Sequence, residues 1–284
     1  MILIADSGST KTDWCLCRGS EVVQAMQTQG INPYHMTDEA MTDVLVDEFV
    51  PKLHAELEPG TGVIFYGAGC LGETACRRME DVLRQSLGTS DVQVYTDLLG
   101  AARALCGRKE GIACVLGTGS NSCLYDGERI VSNVPSLGYI LGDEGSSAAL
   151  GRRLLSDCFK SQLPEEVRAE FLARYSLTQE EVLERVYRQP LVNRFLASFT
   201  PFLGEYRAVP EVHKLLVESF TDFLVRNVKQ YHRPWLPIHC VGSIADAFSA
   251  ELKEAAESLG MEMGRVLKSP IKGLVTYHCS GMAE

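Results

Sequence analysis

The sequence predicts a mixed α/β protein built from two similar halves, and three observations carry that reading. Short apolar runs of strand length alternate with stretches of helical periodicity. A strand–turn–strand pattern at the N-terminus recurs from Ile112 onward, and the chain of 284 residues is longer than one typical domain. Strands are expected at residues 2–5, 14–17, 63–66, 92–95, 112–116, 123–125 and 238–241, where β-favouring apolar residues are bounded by turn formers. Between them Cys76, Met79, Val82, Leu83 and Leu87 repeat at helical spacing, as do Leu216, Phe220, Phe223, Leu224 and Val228. Thr178 followed by Glu181 is a capping box ahead of Val182, Leu183 and Val186. Strand signal is nearly absent from about residue 152 to 235, so the second half carries a helical insertion there.

The internal repeat sets the domain expectation. MILIADSGSTKTDWCLCRGSEVV reads as strand, Gly-rich polar turn, strand, Arg-Gly turn, strand, and IACVLGTGSNSCLYDGERIV gives the same order, with Gly8 matching Gly119. Two lobes, 1–110 and 111–284, are expected to face each other with the turns 6–12 and 117–121 on the cleft side. The alternative is two ordinary hairpins whose turns use Gly and Ser because those residues suit turns.

Composition narrows the function classes. Lys plus Arg total 27 against 37 for Asp plus Glu, a net charge of −10, and 45% of residues are hydrophobic, so the chain forms a core and is not disordered. An acidic balance with no local basic run disfavours nucleic acid and anionic membrane surfaces as partners. It leaves nucleotides open, since backbone N–H groups and a metal ion can hold phosphates. With no secretory leader pattern and no long apolar stretch, the expected location is the cytoplasm. The ten cysteines are scattered from Cys15 to Cys279 and read as reduced, mostly buried residues; Cys15 and Cys17 form a poor zinc motif. The six histidines lack ligand spacing, and G-x-S-x-G is absent, which argues against hydrolase chemistry at Ser120. Trp14 and Trp235 read as core or cleft-edge aromatics.

The turn Asp6-Ser7-Gly8-Ser9-Thr10-Lys11-Thr12 follows a strand and combines a carboxylate, hydroxyls, an ammonium and a Gly that permits close backbone approach. That set suits a polyphosphate with Mg²⁺, which keeps most of its waters and needs few carboxylates, so Asp6 can act through water while Ser9, Thr10 and Lys11 meet phosphate oxygens. The Walker A pattern is absent. A second donor-rich turn, Gly117-Thr118-Gly119-Ser120-Asn121, can clamp the same phosphate chain. A literal G-x-G-x-x-G at 67–72, with Asp97 as a ribose-binding acid, permits a dinucleotide-binding Rossmann reading, although the preceding strands favour a tight strand-to-helix turn. Asp97 itself reads either as a helix N-cap or as a general base for a substrate hydroxyl. In 138–146, Asp143 and Glu144 sit in a Gly-hinged turn where they also suit the first turn of a helix.

With these residues in view, the chain resembles the BadF-type ATPase and N-acetylglucosamine kinase family of the actin, hexokinase and sugar-kinase superfamily. The resemblance runs through DSGSTKTDW, GINPY, YGAG, TDLLGAARAL, LGTGSNS, GYILGDEGSSAALG and VGSIA, in that order, and covers nearly the whole length. It implies two ribonuclease-H-like lobes with nucleotide at the base of the interlobe cleft. It places Asp6, Ser9, Thr10 and Lys11 at the phosphates and Mg²⁺ of ATP, with Gly117, Thr118 and Gly119 on their other side and Gly242 and Ser243 at the nucleoside. Asp97 becomes the base, and Asn32, Thr118, Asn121 and Asp143 surround an amino sugar, N-acetylglucosamine being phosphorylated at its 6-hydroxyl. It moves the 67–72 turn to the connection between lobes. The family also contains ATPases that activate a partner protein, some with an iron–sulfur cluster shared by two subunits, and nucleotide-binding regulators without kinase activity. The scattered cysteines offer no cluster-presenting segment. Whether the helical insertion forms a homodimer surface or covers the second lobe stays open.

Overall fold

Two five-stranded sheets with the same internal order organise the protein. The structure is a computed structural model that describes residues 1–8, 10–54, 57–58 and 60–279. Strands β1 (Ile2–Ser7), β2 (Lys11–Arg18), β3 (Glu21–Gln29), β4 (Gly62–Gly67) and β5 (Val92–Thr96) lie in the order β3-β2-β1-β4-β5. Strands β6 (Gly111–Leu116), β7 (Ser120–Tyr125), β8 (Ile130–Ser132), β9 (Ile238–Val241) and β10 (Met263–Leu267) lie in the order β8-β7-β6-β9-β10. In each sheet the first strand pairs antiparallel with the second and parallel with the fourth, and the fourth and fifth are parallel. The repeat seen in the two hairpin sequences thus extends to whole sheets, each of the ribonuclease-H-like kind.

The chain divides into two compact units, Met1–Lys109 with Asp126–Ile130 and Ser269–Glu284, and Glu110–Tyr125 with Val131–Lys268. The first unit is therefore not the continuous stretch 1–110: the C-terminal helix Ile271–Cys279 belongs to it, because Leu274 and Cys279 are buried with Ile4, Cys15, Cys17, Ile64, Tyr66 and Ala104.

Strand alternation explains how the first unit is layered. Leu3, Ala5, Trp14, Leu16, Val63 and Phe65 point to one face, covered by Met41, Leu45, Phe49 and the helix Gly72–Leu87 through Met79, Val82 and Leu83. Their neighbours Ile4, Cys15, Cys17, Ile64 and Tyr66 point to the other, under the helices Asp97–Cys106 and Ile271–Cys279. Both faces being buried, the strands read as nearly continuous apolar runs. Gly100 lets the Asp97–Cys106 helix lie on Tyr66, since a Cβ there would stand 2.8 Å from the ring. Gly273 does the same for the last helix against Ala104, whose carbonyl oxygen would be 2.5 Å away.

The second unit carries the expected helical insertion between β8 and β9, from the helix Ser147–Phe159 to Tyr231. Its core includes Phe171, Phe199, Phe202, Phe220 and Phe223, all buried, and each such ring contributes about 1.5–3 kcal/mol of transfer free energy. The capping box is present: Thr178 Oγ1 accepts the Glu181 N–H at 3.2 Å, and Glu181 Oε2 accepts the Thr178 N–H at 2.7 Å. Strand β10 had no apolar run to announce it. It is an edge strand with mixed burial, so one of its sides needs no hydrophobic residue.

Candidate functional site

In the first unit, the ends of β1, β2 and β5 gather three carboxylates. Asp6 follows Ile2 and Ile4 on the face that carries the Asp97–Cys106 helix, and the antiparallel register sets Asp13 of β2 directly opposite it. Burial chiefly, then the charges of Asp97 and Asp13, push the Asp6 carboxyl up to about 7, with Lys11 opposing. Lys11 Nζ donates to Asp13 Oδ2 at 2.8 Å, and Gln27 Nε2 donates to Asp13 Oδ1 at 2.7 Å. Asp13 lies within the motif DSGSTKTDW and was assigned no role from sequence; the hairpin register was the signal that could have found it.

Thr96 and Asp97 resolve one ambiguity. The N-cap of the helix is Thr96, extended at φ −69° and ψ 148°, whose Oγ1 accepts the Leu99 N–H at 3.2 Å. Asp97 is the first helical residue and accepts the Leu98 N–H at 2.8 Å. Burial raises its pKa, with that backbone bond opposing. The N-cap reading of Asp97 is thus corrected: the cap is its neighbour, and the carboxylate is left for other work.

The turn between β1 and β2 is anchored from behind. Gly8 N–H donates to Lys11 O at 3.0 Å, and Ser9 lies outside the described residues. Ser7 and Thr12, on the face opposite Asp6, have hydroxyl oxygens 2.7 Å apart; Ser7 Oγ accepts the Ile31 N–H, and the two hydroxyl protons are shared among this contact and the carbonyls of Ile31 and Gln29, at 2.9 and 3.1 Å. Gly30 N–H closes on Thr10 O at 3.1 Å. These bonds tie the turn to buried Asn32, whose Oδ1 accepts the Tyr34 N–H at 2.9 Å. Asn32 in turn explains the G-x-G-x-x-G segment: at Gly69, φ is 79° and a Cβ would stand 1.9 Å from Asn32 Oδ1. The glycine serves internal packing in a strand-to-helix turn.

In the second unit, the loop Gly117-Thr118-Gly119 is held by Gly117 N–H to Gly119 O at 2.9 Å, and it receives the Ser147 and Ala148 N–H groups on Gly117 O and Thr118 O. Buried Asp143 accepts the Ser120 N–H at 3.2 Å and fills the space beside Gly119, where a Cβ would meet Oδ2 at 3.0 Å. Its left-handed φ of 55° aims it there, and burial raises its pKa. Ser146, not Asp143 or Glu144, caps the following helix through the Ala149 N–H. Gly242, at φ 128°, approaches the end of β6 so closely that a Cβ would stand 2.2 Å from Leu116 O; Ser243 opens the next short helix. Gly117–Gly119, Asn121, Asp143 and Gly242 are thus brought together around one strand end. Asn121 Oδ1 accepts N–H groups from Ser122 and from Asn133, the latter not anticipated because nothing in its local sequence marks it.

Among the described residues no group of three or more His, Cys, Asp or Glu side chains is arranged to hold a metal ion directly. Three carboxylates share the one ammonium of Lys11, which is bonded to Asp13, and with Asp6 raised to about 7 they are nonetheless hard oxygen donors that fit Mg²⁺ held through its waters. No helix among the described residues is long and apolar enough to cross a membrane.

Neither a protein-family model nor a curated protein matches the chain. Among solved structures, a Porphyromonas gingivalis protein named "putative N-acetylglucosamine kinase" matches at 46% identity over 99% of both chains, with a TM-score of 0.95. A Chromobacterium violaceum protein of the same name matches at 17% identity and TM-score 0.67, over 97% of this chain and 98% of that one. A ROK family glucokinase from Streptomyces griseus, solved with glucose and AMPPNP, matches at 13% identity and TM-score 0.58 over 97% of each chain. The latter two establish the actin-like ATPase fold. With a relative of 46% identity along its whole length, the chain belongs to the N-acetylglucosamine kinase family of ATP-dependent sugar kinases.

Proposed function

We propose that this protein transfers the terminal phosphoryl group of ATP to a hydroxyl of an N-acetylated amino sugar, N-acetylglucosamine at its 6-hydroxyl. The observation that carries the reading is Asp97: a carboxylate at the end of β5, relieved of capping by Thr96, made more basic by burial, and in the same electrostatic cluster as Asp6. The name borne by the 46% identical relative supports the amino sugar.

Asp97 accepts the proton of the sugar hydroxyl as its oxygen forms a bond to the γ-phosphorus, and the bond from that phosphorus to the bridging oxygen breaks to release ADP. Thr10 and Lys11 in the first unit meet phosphate oxygens, and Lys11 exchanges its bond to Asp13 for them. The Gly117-Thr118-Gly119 loop of the second unit offers backbone donors to phosphate oxygens, and Gly242 and Ser243 meet the nucleoside. Asn32, Thr118, Asn121 and Asp143 bind the sugar. Asp6, with Asp13 nearby, would hold hydrated Mg²⁺, which when bound neutralises charge on the phosphate oxygens.

The test is ADP release from Mg-ATP by wild type and Asp97→Asn with N-acetylated sugars, free amino sugars, glucose and no sugar. Stimulation by one acetylated sugar, lost in the variant, is expected. Sugar-independent release would replace the kinase with an ATPase acting on a partner protein, and near-normal turnover by Asp97→Asn would remove the base assignment.

A further inference from the structure

The amide of Asn121 has a fixed polarity, and its neighbours set it. Its Oδ1 accepts two hydrogen bonds, from the Ser122 N–H at 2.9 Å and from Asn133 Nδ2 at 2.9 Å. A flip would press the Asn121 NH₂ against both donors. Asn133 is oriented in its turn, since its Nδ2 also reaches Ser122 O at 2.7 Å and Val134 O at 3.2 Å. Turning Asn133 over would set its own oxygen against two carbonyls. Both carbonyls belong to residues held by Tyr231, whose hydroxyl bonds Ser122 Oγ at 2.7 Å and accepts the Val134 N–H at 3.2 Å. The order runs from a buried tyrosine of the helical insertion, through two backbone carbonyls and one amide, to Asn121.

With both lone pairs of Oδ1 used, Asn121 offers only N–H donors to a ligand. A donor-only group requires an acceptor. An acetamido carbonyl supplies one, whereas the ammonium of a free amino sugar sets donor against donor and leaves a desolvated group unpaired. Resting on the sugar-kinase reading, we infer that Asn133 is a positioning residue for substrate selection: it holds the Asn121 amide with its donors outward, to receive the acetamido carbonyl of the sugar.

Asn133→Asp tests this with shape preserved. A carboxylate in place of the amide meets acceptors at Asn121 Oδ1, Ser122 O and Val134 O, so the lock on Asn121 is lost. Asn133 is exposed, and neither Asn133→Asp nor Asn133→Ala threatens the core. Expected in both variants is a rise of about tenfold in KM for the acetylated sugar, the size of one hydrogen bond misplaced in a binding site, with KM for ATP unchanged. The preference for acetylated over free amino sugar falls by a similar factor. An unchanged sugar KM and unchanged preference in both variants, with a sugar-stimulated wild type, overturn the role of Asn133 alone. A wild type that no sugar stimulates overturns the substrate reading and this inference together.

Discussion

Thr96 caps the helix that Asp97 begins, so one side chain fixes the helix end while its neighbour stays available as a proton acceptor. Thr96→Ala is expected to cost about 1 kcal/mol of stability in urea denaturation and to keep most of the turnover. Asp97→Asn should be as stable as wild type or more so, because it removes a buried carboxylate, yet lose roughly 10²–10⁴-fold in turnover. Equal losses of stability in both variants would return the cap to Asp97.

Gly100 is where the helix carrying Asp97 meets the ring of Tyr66, and Arg103 one turn later donates to Tyr66 Oη at 2.8 Å. Gly100→Ala places a Cβ 2.8 Å from that ring and must lift the helix. A loss of about 1–3 kcal/mol of stability is expected, with kcat falling more than the KM for ATP rises. Unchanged steady-state kinetics would separate the seating of this helix from the placement of Asp97.

His278 shares a 2.7 Å hydrogen bond with the same Tyr66 hydroxyl. Burial first, then Arg103 and Arg108, lower its pKa from 6.5 to about 4. The folded protein therefore binds this proton less readily than the unfolded chain. Its stabilisation is complete above pH 6.5 and is lost as the pH falls through about 4, at no more than about 1.4 kcal/mol per pH unit. His278→Gln keeps an acceptor for Tyr66 without titrating. Its Tm should match wild type at pH 7 and exceed it at pH 5; parallel Tm curves for the two proteins would contradict the assignment.

Asp6→Ala removes a buried carboxylate of the cluster whose pKa is pushed up to about 7. The Mg²⁺ concentration giving half-maximal ADP release should rise about tenfold or more, as for loss of a group that orients a metal's bound water. An unchanged magnesium dependence would detach Asp6 from the metal.

The seven strands expected from apolar runs all occur; β1, β4 and β6 are buried on nearly every residue and leave an uninterrupted hydrophobic signature, whereas edge strand β5 shows itself by alternation, with Val92 and Val94 buried and Gln93 exposed. β10 escaped notice because Gly264 and Arg265 interrupt it at an exposed edge. The two polar turns were visible as unusual clusters of Gly, Ser and Thr. The partners that orient their side chains were not: Asp13 is set opposite Asp6 by strand register, and Asn133 reaches Asn121 across twelve residues of chain. Thr96 was passed over because a cap is decided by where the strand's extended backbone ends, and β5 runs one residue beyond its apolar stretch.

The last helix, Ile271–Cys279, completes the core that β1, β2 and β4 begin. A ribosome delivers Ile4, Cys15, Cys17, Ile64 and Tyr66 early and must synthesise all of Glu110–Lys268 before Leu274 follows. The unit that starts second along the chain therefore has its complete sequence first. During translation the Asp97–Cys106 helix can cover its part of that face early, while the part that Leu274 and Cys279 will cover stays open to water until the last helix arrives.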